Sequence, residues 1–196
     1  MDTDLLGSVA LGGLGLYVLL AFVVRSVLQR RRTGSTGWRF SHARFGSAQW
    51  WVGVLLVLAV LGLVAAPVAA TLGPAHPVGL VRLVAGIVAF VVGLGLTIVA
   101  QLAMGDAWRI GVDPSERTQL RTTGPFAWCR NPIFTGTATA ALCLAVWFPW
   151  ATVAWALLVI AFEVQVRRVE EPYLRSVHGE AYERYCARTG RFLPGC

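Results

Sequence analysis

Three largely apolar tracts, each long enough to cross a bilayer as a helix, constrain this chain more than any other feature of its sequence. They run from about Leu5 to Val24, from about Trp50 to Leu72 and from about Val78 to Met104. Within hydrocarbon no water can bond the backbone, so such tracts must be helices that satisfy their own polar groups. A fourth apolar region, Ile133 to Arg167, is too long for one span and carries Trp147-Phe-Pro-Trp150 near its middle. Pro149 among three aromatics points to a tight interfacial hairpin. That divides the region into a fourth span over about Pro132–Val146 and a fifth over about Trp150–Val166; one long kinked helix is the alternative. The fourth is rich in small residues, and Gly136 and Ala140, one turn apart, permit close helix contact. Pro67 is expected to kink the second span.

Composition agrees with lipid as the main solvent: 14% of the 196 residues are charged, against about 25% in soluble domains. No polar segment is long enough for a second domain, so residues 1–196 are expected to form one membrane domain. It divides into three N-terminal spans (1–104) and a polar loop, helical hairpin and tail (105–196). The first span is preceded by Asp2 and Asp4 rather than by basic residues and ends in no evident cleavage site, so it reads as a retained span and not a signal peptide.

All 17 basic residues are arginine, and the net charge is +7. In a soluble protein such charge would suggest nucleic acid; here the arginines sit in loops beside spans, where topology places them, and no nucleic-acid partner is expected. The loop after span one carries Arg25, Arg30, Arg31, Arg32, Arg39 and Arg44, and the loop after span three Arg109, Arg117, Arg121 and Arg130. The tail adds six more, whereas the opposite face has only Arg82, near enough to the span end to snorkel. Five spans and the positive-inside rule together give a cytoplasmic C-terminus in a multi-pass protein, expected in the plasma (inner) membrane of a prokaryote. Cys129, Cys143, Cys186 and Cys196 lack the clustered spacing of a zinc site and read as free thiols, with no metal expected.

Beyond Met104 the sequence changes character. A polar stretch, Gly105-Asp-Ala-Trp-Arg-Ile-Gly111, leads through a hydrophilic loop to Thr123-Gly-Pro-Phe-Ala-Trp-Cys-Arg-Asn-Pro-Ile-Phe-Thr-Gly136. After the hairpin come Arg167-Arg-Val-Glu-Glu-Pro-Tyr-Leu174, His178-Gly-Glu-Ala-Tyr-Glu-Arg-Tyr185 and Arg191-Phe-Leu-Pro194. On a continuous helix Glu163, Arg167 and Glu171 fall on one face, a pattern that also suits plain surface ion pairs. Glu163 lies closest to the hydrocarbon, where an ionisable group is a functional candidate.

The ordered set from about Met104 to Pro194 resembles the isoprenylcysteine carboxyl methyltransferases and related phospholipid methyltransferases. Their pattern is a Gly-Pro-aromatic turn, Arg-His-Pro-x-Tyr-x-Gly, a helical hairpin, Glu-Glu, and a Gly-x-x-Tyr-x-x-Tyr stretch ending near Arg-Phe-x-Pro. The resemblance implies an all-α, polytopic transmembrane bundle of about five spans, the last two a hairpin, with a cytoplasmic C-terminal cofactor-binding segment. It implies S-adenosylmethionine as methyl donor and an apolar or amphipathic acceptor, with the bilayer as the surrounding partner; the sequence sets no oligomeric state. By family position, Glu170 and Glu171 would accept from the donor's ammonium and Arg130 would fork onto its carboxylate. Phe134, Tyr182, Tyr185, Phe192 and Leu193 would wall the adenine, and Arg130, Asn131 and Glu171 would serve catalysis. Asn131 stands where the family has His, and Phe134 where it has Tyr, so no imidazole base is available at that position. His178 reads as a structural surface residue. A sterol-reductase-like nicotinamide enzyme and a non-enzymatic scaffold of the same fold are the competing readings.

Overall fold

The computed structural model describes residues 1–37, 45–109 and 119–195. Among them the regular structure is helical, joined by two isolated bridges, Asp2 to Pro77 and Cys129 to Gly190. Helix α1 (Thr3–Val18) passes through a π-helical turn (Leu19–Val24) into α2 (Arg25–Thr33) without a break. Helices α3 (Ala48–Leu72) and α4 (Leu80–Met104) follow; the Ser47 hydroxyl caps α3 by accepting from the Trp50 amide at 3.2 Å. Pro67, buried, lies inside a helix that continues through it. Short α5 (Pro125–Trp128) precedes α6 (Pro132–Trp147), and a tight turn over Pro149–Ala151 leads into α7 (Thr152–Gln165). A second π-helical turn (Val166–Glu170) links α7 to α8 (Glu171–His178), and α9 (Glu180–Cys186) completes the fold.

Among the described residues, four helices are long and apolar enough to cross a membrane: Thr3–Thr33, Ala48–Leu72, Leu80–Ala107 and Pro149–His178. The fifth, Pro132–Trp147, has 16 residues, a length of about 24 Å, short of the ~30 Å hydrocarbon core. It forms the expected hairpin with α7. Outward-facing Leu61, Val91 and Val153, each more than half exposed, form a surface suited to lipid rather than water.

The bundle is built from successive neighbours: α4 on α6, α6 on α7, α7 on α3 and α3 on α1. The α4–α6 contact is the tightest. A Cβ on Gly136 would lie 2.6 Å from Thr97 Oγ1 and 2.8 Å from the Gly93 carbonyl. Only glycine allows these two backbones to touch, as the small-residue pattern anticipates. At the far end Arg82 does more than snorkel. Its guanidinium donates to the Val146 and Trp147 carbonyls at 3.1 and 2.7 Å, capping the C-terminus of α6.

Helix α1 is held to α4 and its flanks mainly by polar ties. Near its start, the Thr3 amide donates to the His76 carbonyl (2.9 Å) and the Met1 carbonyl accepts from Val78 (3.0 Å). At the other end, Gln101 Nε2 donates to the Ala21 carbonyl inside the π-helical turn (2.9 Å). Gln29 donates to the Asp106 carbonyl (2.7 Å), and Arg25 donates to Gly105 while lying over the Trp108 ring. Gly105 adopts φ +56°, a conformation L side chains rarely take, and so turns the chain sharply at the end of α4. The described arginines of α2, the α4–α6 connection and the tail therefore collect at one end of the bundle. Arg39, Arg44, Arg117 and Cys196 lie outside the described residues.

Candidate functional site

At the arginine-rich end the α5–α6 junction is zipped to the tail. The amides of Arg130 and Asn131 donate to the carbonyls of Gly190 (2.9 Å) and Arg191 (3.1 Å). The Asn131 side-chain amide donates to the same Arg191 carbonyl (3.0 Å), and Thr135 Oγ1 donates to Phe192 O (2.7 Å). Arg130 Nη1 donates to the Cys186 and Thr189 carbonyls (3.1 and 2.8 Å), and its Nη2 to Glu171 Oε1 (3.1 Å). Arg191 grips the same carboxylate with Nε on Oε1 (2.7 Å) and Nη2 on Oε2 (3.1 Å), and Arg175 adds a third cation at 3.6 Å.

This corrects the simple helical-face expectation. Arg167 does pair with Glu163, but the π-helical turn adds a residue to the helical repeat. Glu171 consequently reaches Arg130, Arg175 and Arg191 instead of stacking beyond Arg167. The hydrogen bond to Glu171 holds the Arg191 guanidinium pKa above its ordinary value. With its side chain only 4% exposed, Glu171 is the hub of a buried ion cluster.

Beside this hub lies a cavity of about 1050 Å³ with two limbs. Its polar limb is lined by Arg109, Arg121, Arg130, Asn131, Glu170 and Tyr182; its apolar limb runs between the spans to Trp147. Glu170 accepts from Gln165 Nε2 at 3.2 Å. The Nε atoms of Arg121 and Arg130 are buried without a hydrogen-bond partner, a combination that suits a polar, charged ligand. Phe134 stacks on Phe162 with centroids 4.6 Å apart, and both line the cavity. Tyr185 also lines it and donates to the Phe126 carbonyl at 2.6 Å. Burial pushes the Tyr182 and Tyr185 phenols well above their usual pKa, so both stay protonated at neutral pH.

The sequence-derived candidates thus divide. Arg130, Asn131, Phe134, Glu170, Tyr182 and Tyr185 line one cavity; Glu171, Phe192 and Leu193 are not on its wall, and Leu193 is 71% exposed. His178, at the end of α8, is also off the wall. Arg109 and Tyr173 stand in the quoted stretches without an assigned role, Arg121 enters only through topology, and Gln165 lies outside every motif; all four line the polar limb.

Long apolar helices bundled around a cavity that is polar at one end and apolar along its length are the architecture of an integral membrane protein. Residues 81–181 match the model of the phospholipid methyltransferase family, and the chain belongs to that family of membrane methyltransferases. The match includes α4, α6, α7 and Glu170-Glu171 but not α1, α3 or Tyr182 and Tyr185. No curated protein matches the chain. Its fold is similar to that of a eukaryotic intramembrane Ras methyltransferase, an isoprenylcysteine carboxyl methyltransferase, with a TM-score of 0.62 at 19% identity. That likeness covers 94% of this chain and 64% of the other, so the present chain spans under two thirds of that structure's length.

Proposed function

We propose that this protein transfers a methyl group from S-adenosylmethionine to an apolar or amphipathic acceptor, at the cytoplasmic end of a multi-pass bundle in a prokaryotic plasma membrane. The observation that carries the reading is the two-limbed cavity: Glu170 and unpartnered arginine nitrogens at one end, hydrocarbon walls along the other. The donor supplies an electrophilic methyl on a sulfonium. Glu170 is the carboxylate assigned to its ammonium, because Glu171 is already engaged by three arginines. Arg130 and Arg121 offer Nε–H donors to a carboxylate, and the rings of Phe134 and Tyr182 present faces that favour a cation.

Glu171 acts through others in this reading. It fixes Arg130 and Arg191, and these hold the tail against α6. Asn131 likewise positions the tail backbone and moves no proton. With Asn131 where the family has His, the acceptor suited to this site is already anionic, a carboxylate or thiolate that needs no strong base. Catalysis then consists of aligning the two reactants and excluding water. In this reading residues 1–104 supply three N-terminal spans and residues 105–196 the methyltransferase-like loop, hairpin and tail.

The test is transfer of labelled methyl from S-adenosylmethionine into the lipid extract of the source membrane by purified protein. Label should enter the lipid-soluble fraction with wild type and fall sharply with Glu170→Gln. Absence of transfer to any fraction of a complete extract would contradict the proposal.

A further inference from the structure

The apolar limb of the cavity holds one polar island. Tyr17, on α1 and outside the segment that matches the family, reaches across the bundle: α1 packs on α3, yet the Tyr17 hydroxyl meets α6 and α4. It donates to Thr137 Oγ1 at 2.7 Å and lies 3.2 Å from Thr97 Oγ1. Tyr17 and Thr137 both line the cavity, and Thr97 is buried behind them. The surroundings are otherwise apolar: Ala21, Phe22, Phe90, Leu94 and Ala140. Thr137 stands six residues beyond Asn131, about 9 Å along α6. The island is therefore well separated from the arginine end.

Its protons can be counted. Each hydroxyl has one proton to donate and two lone pairs that accept. Thr97 directs its proton to the Gly93 carbonyl at 2.9 Å, and Thr137 directs its own to the Ile133 carbonyl at 2.8 Å. Tyr17 donates to Thr137. Thr97, the neighbour that could donate to the Tyr17 oxygen, has a nearer acceptor in Gly93. One turn along α4, Gln101 directs its side-chain N–H to the Ala21 carbonyl at 2.9 Å. All three hydroxyl protons are engaged, and the capacity left over is acceptor lone pairs. A ligand group suited to this place must donate. A ketone or ether oxygen would meet only lone pairs. An amide N–H would bring with it a carbonyl that finds no proton, leaving a buried acceptor unsatisfied. A hydroxyl donates one bond and requires none in return.

We infer that Tyr17 and Thr137, backed by Thr97, form a hydroxyl-recognising subsite in the apolar limb, and that the methyl acceptor carries an alcohol part-way along its apolar body. This rests on the methyl-transfer reading for what the ligand is, but not for the subsite itself. The chemistry is a single hydrogen bond in an apolar setting, so it selects among acceptors of similar size and shape.

The test uses four probes on full-length protein in phosphatidylcholine nanodiscs: stearic acid bearing a mid-chain hydroxyl, a mid-chain ketone, a mid-chain methyl ether or a terminal hydroxyl. The mid-chain hydroxyl should bind roughly 2- to 12-fold more tightly than the ketone or the ether, the worth of one hydrogen bond. It should also bind more tightly than its terminal isomer, whose hydroxyl lies beyond the island. The double variant Tyr17→Phe/Thr137→Val removes both members of the bonded pair at nearly constant shape, a change that can be close to neutral for stability. It should bring the three mid-chain probes to equal affinity and leave that of the ketone as it is in wild type. Comparing the two proteins cancels differences in how the probes partition into lipid. A cluster that only joins helices would alter all four affinities together or none, and either result would overturn the inference. So would tighter binding of the ketone, or a hydroxyl preference that survives in the double variant. Should that variant fail to fold, the two hydroxyl isomers in wild type decide, and equal affinity for them would refute the subsite. S-adenosylmethionine binding to the same samples is measured separately: its absence would sink the methyltransferase reading and leave the probe ranking to test the subsite.

Discussion

Helix α4 meets α6 and α1 in two different ways. Along α6 the helices touch backbone to backbone through Gly93 and Gly136, with Thr97 Oγ1 bonding the Gly93 carbonyl at 2.9 Å. Along α1 the contact is a set of polar ties at the ends and one ring between. The first arrangement leaves no freedom: any side chain at Gly136 collides with main chain. The second rests on side chains between its ties. The tight seam belongs to the part of the chain that the family model matches, and it fixes the helix whose N-terminus carries Arg130 and Asn131. The tightly packed half of the molecule thus holds the polar groups in register, and the looser seam involves α1, outside the family match.

That contrast can be broken at measurable points. The largest effect belongs to Glu171→Gln, which leaves Arg130, Arg175 and Arg191 around a neutral amide. Removing one partner of a buried ion cluster costs about 3–5 kcal/mol, and the tail beyond α8 should become sensitive to limited proteolysis. Gly136→Ala should cost about 1–3 kcal/mol by overpacking, read as a lower midpoint of thermal unfolding in detergent. Gly13→Ala on the loose seam should shift that midpoint little; an equal loss at both glycines would erase the distinction between the seams. Tyr17→Phe removes the hydroxyl that bonds Thr97 and Thr137 at 3.2 and 2.7 Å, and should cost about 0.5–1.5 kcal/mol. Glu163→Gln should be the mildest: its Arg167 partner is 55% exposed, and such pairs contribute about 0.2–1 kcal/mol.

The membrane elements were legible in the sequence because hydrocarbon imposes length and apolarity on each span separately. The Trp147–Trp150 hairpin and the small-residue contact at Gly136 and Ala140 could be read for the same reason, since each is a local pattern. The site was legible only in part. Arg130, Asn131 and Glu170 stood out through motif resemblance, but their partners are distant in sequence. The Arg191 and Phe192 carbonyls that pair with Asn131 and Thr135, about sixty residues away, obey no periodicity. The π-helical turn over Val166–Glu170 separates the two glutamates, with Glu170 on the cavity wall and Glu171 in the ion cluster. A helix assumed to be regular does not reveal that separation, because the extra residue in the turn follows no local pattern.

Equilibrium binding of S-adenosylmethionine to the purified protein, with a nicotinamide cofactor as control, tests the central claim most directly. Wild type should bind the methyl donor and not the nicotinamide. Glu170→Gln should lose one charge-assisted hydrogen bond, about 1.5–3 kcal/mol, or roughly 10- to 150-fold in affinity. Unchanged affinity in Glu170→Gln would remove Glu170 from the site, and wild-type binding of the nicotinamide cofactor instead of the methyl donor would contradict the account.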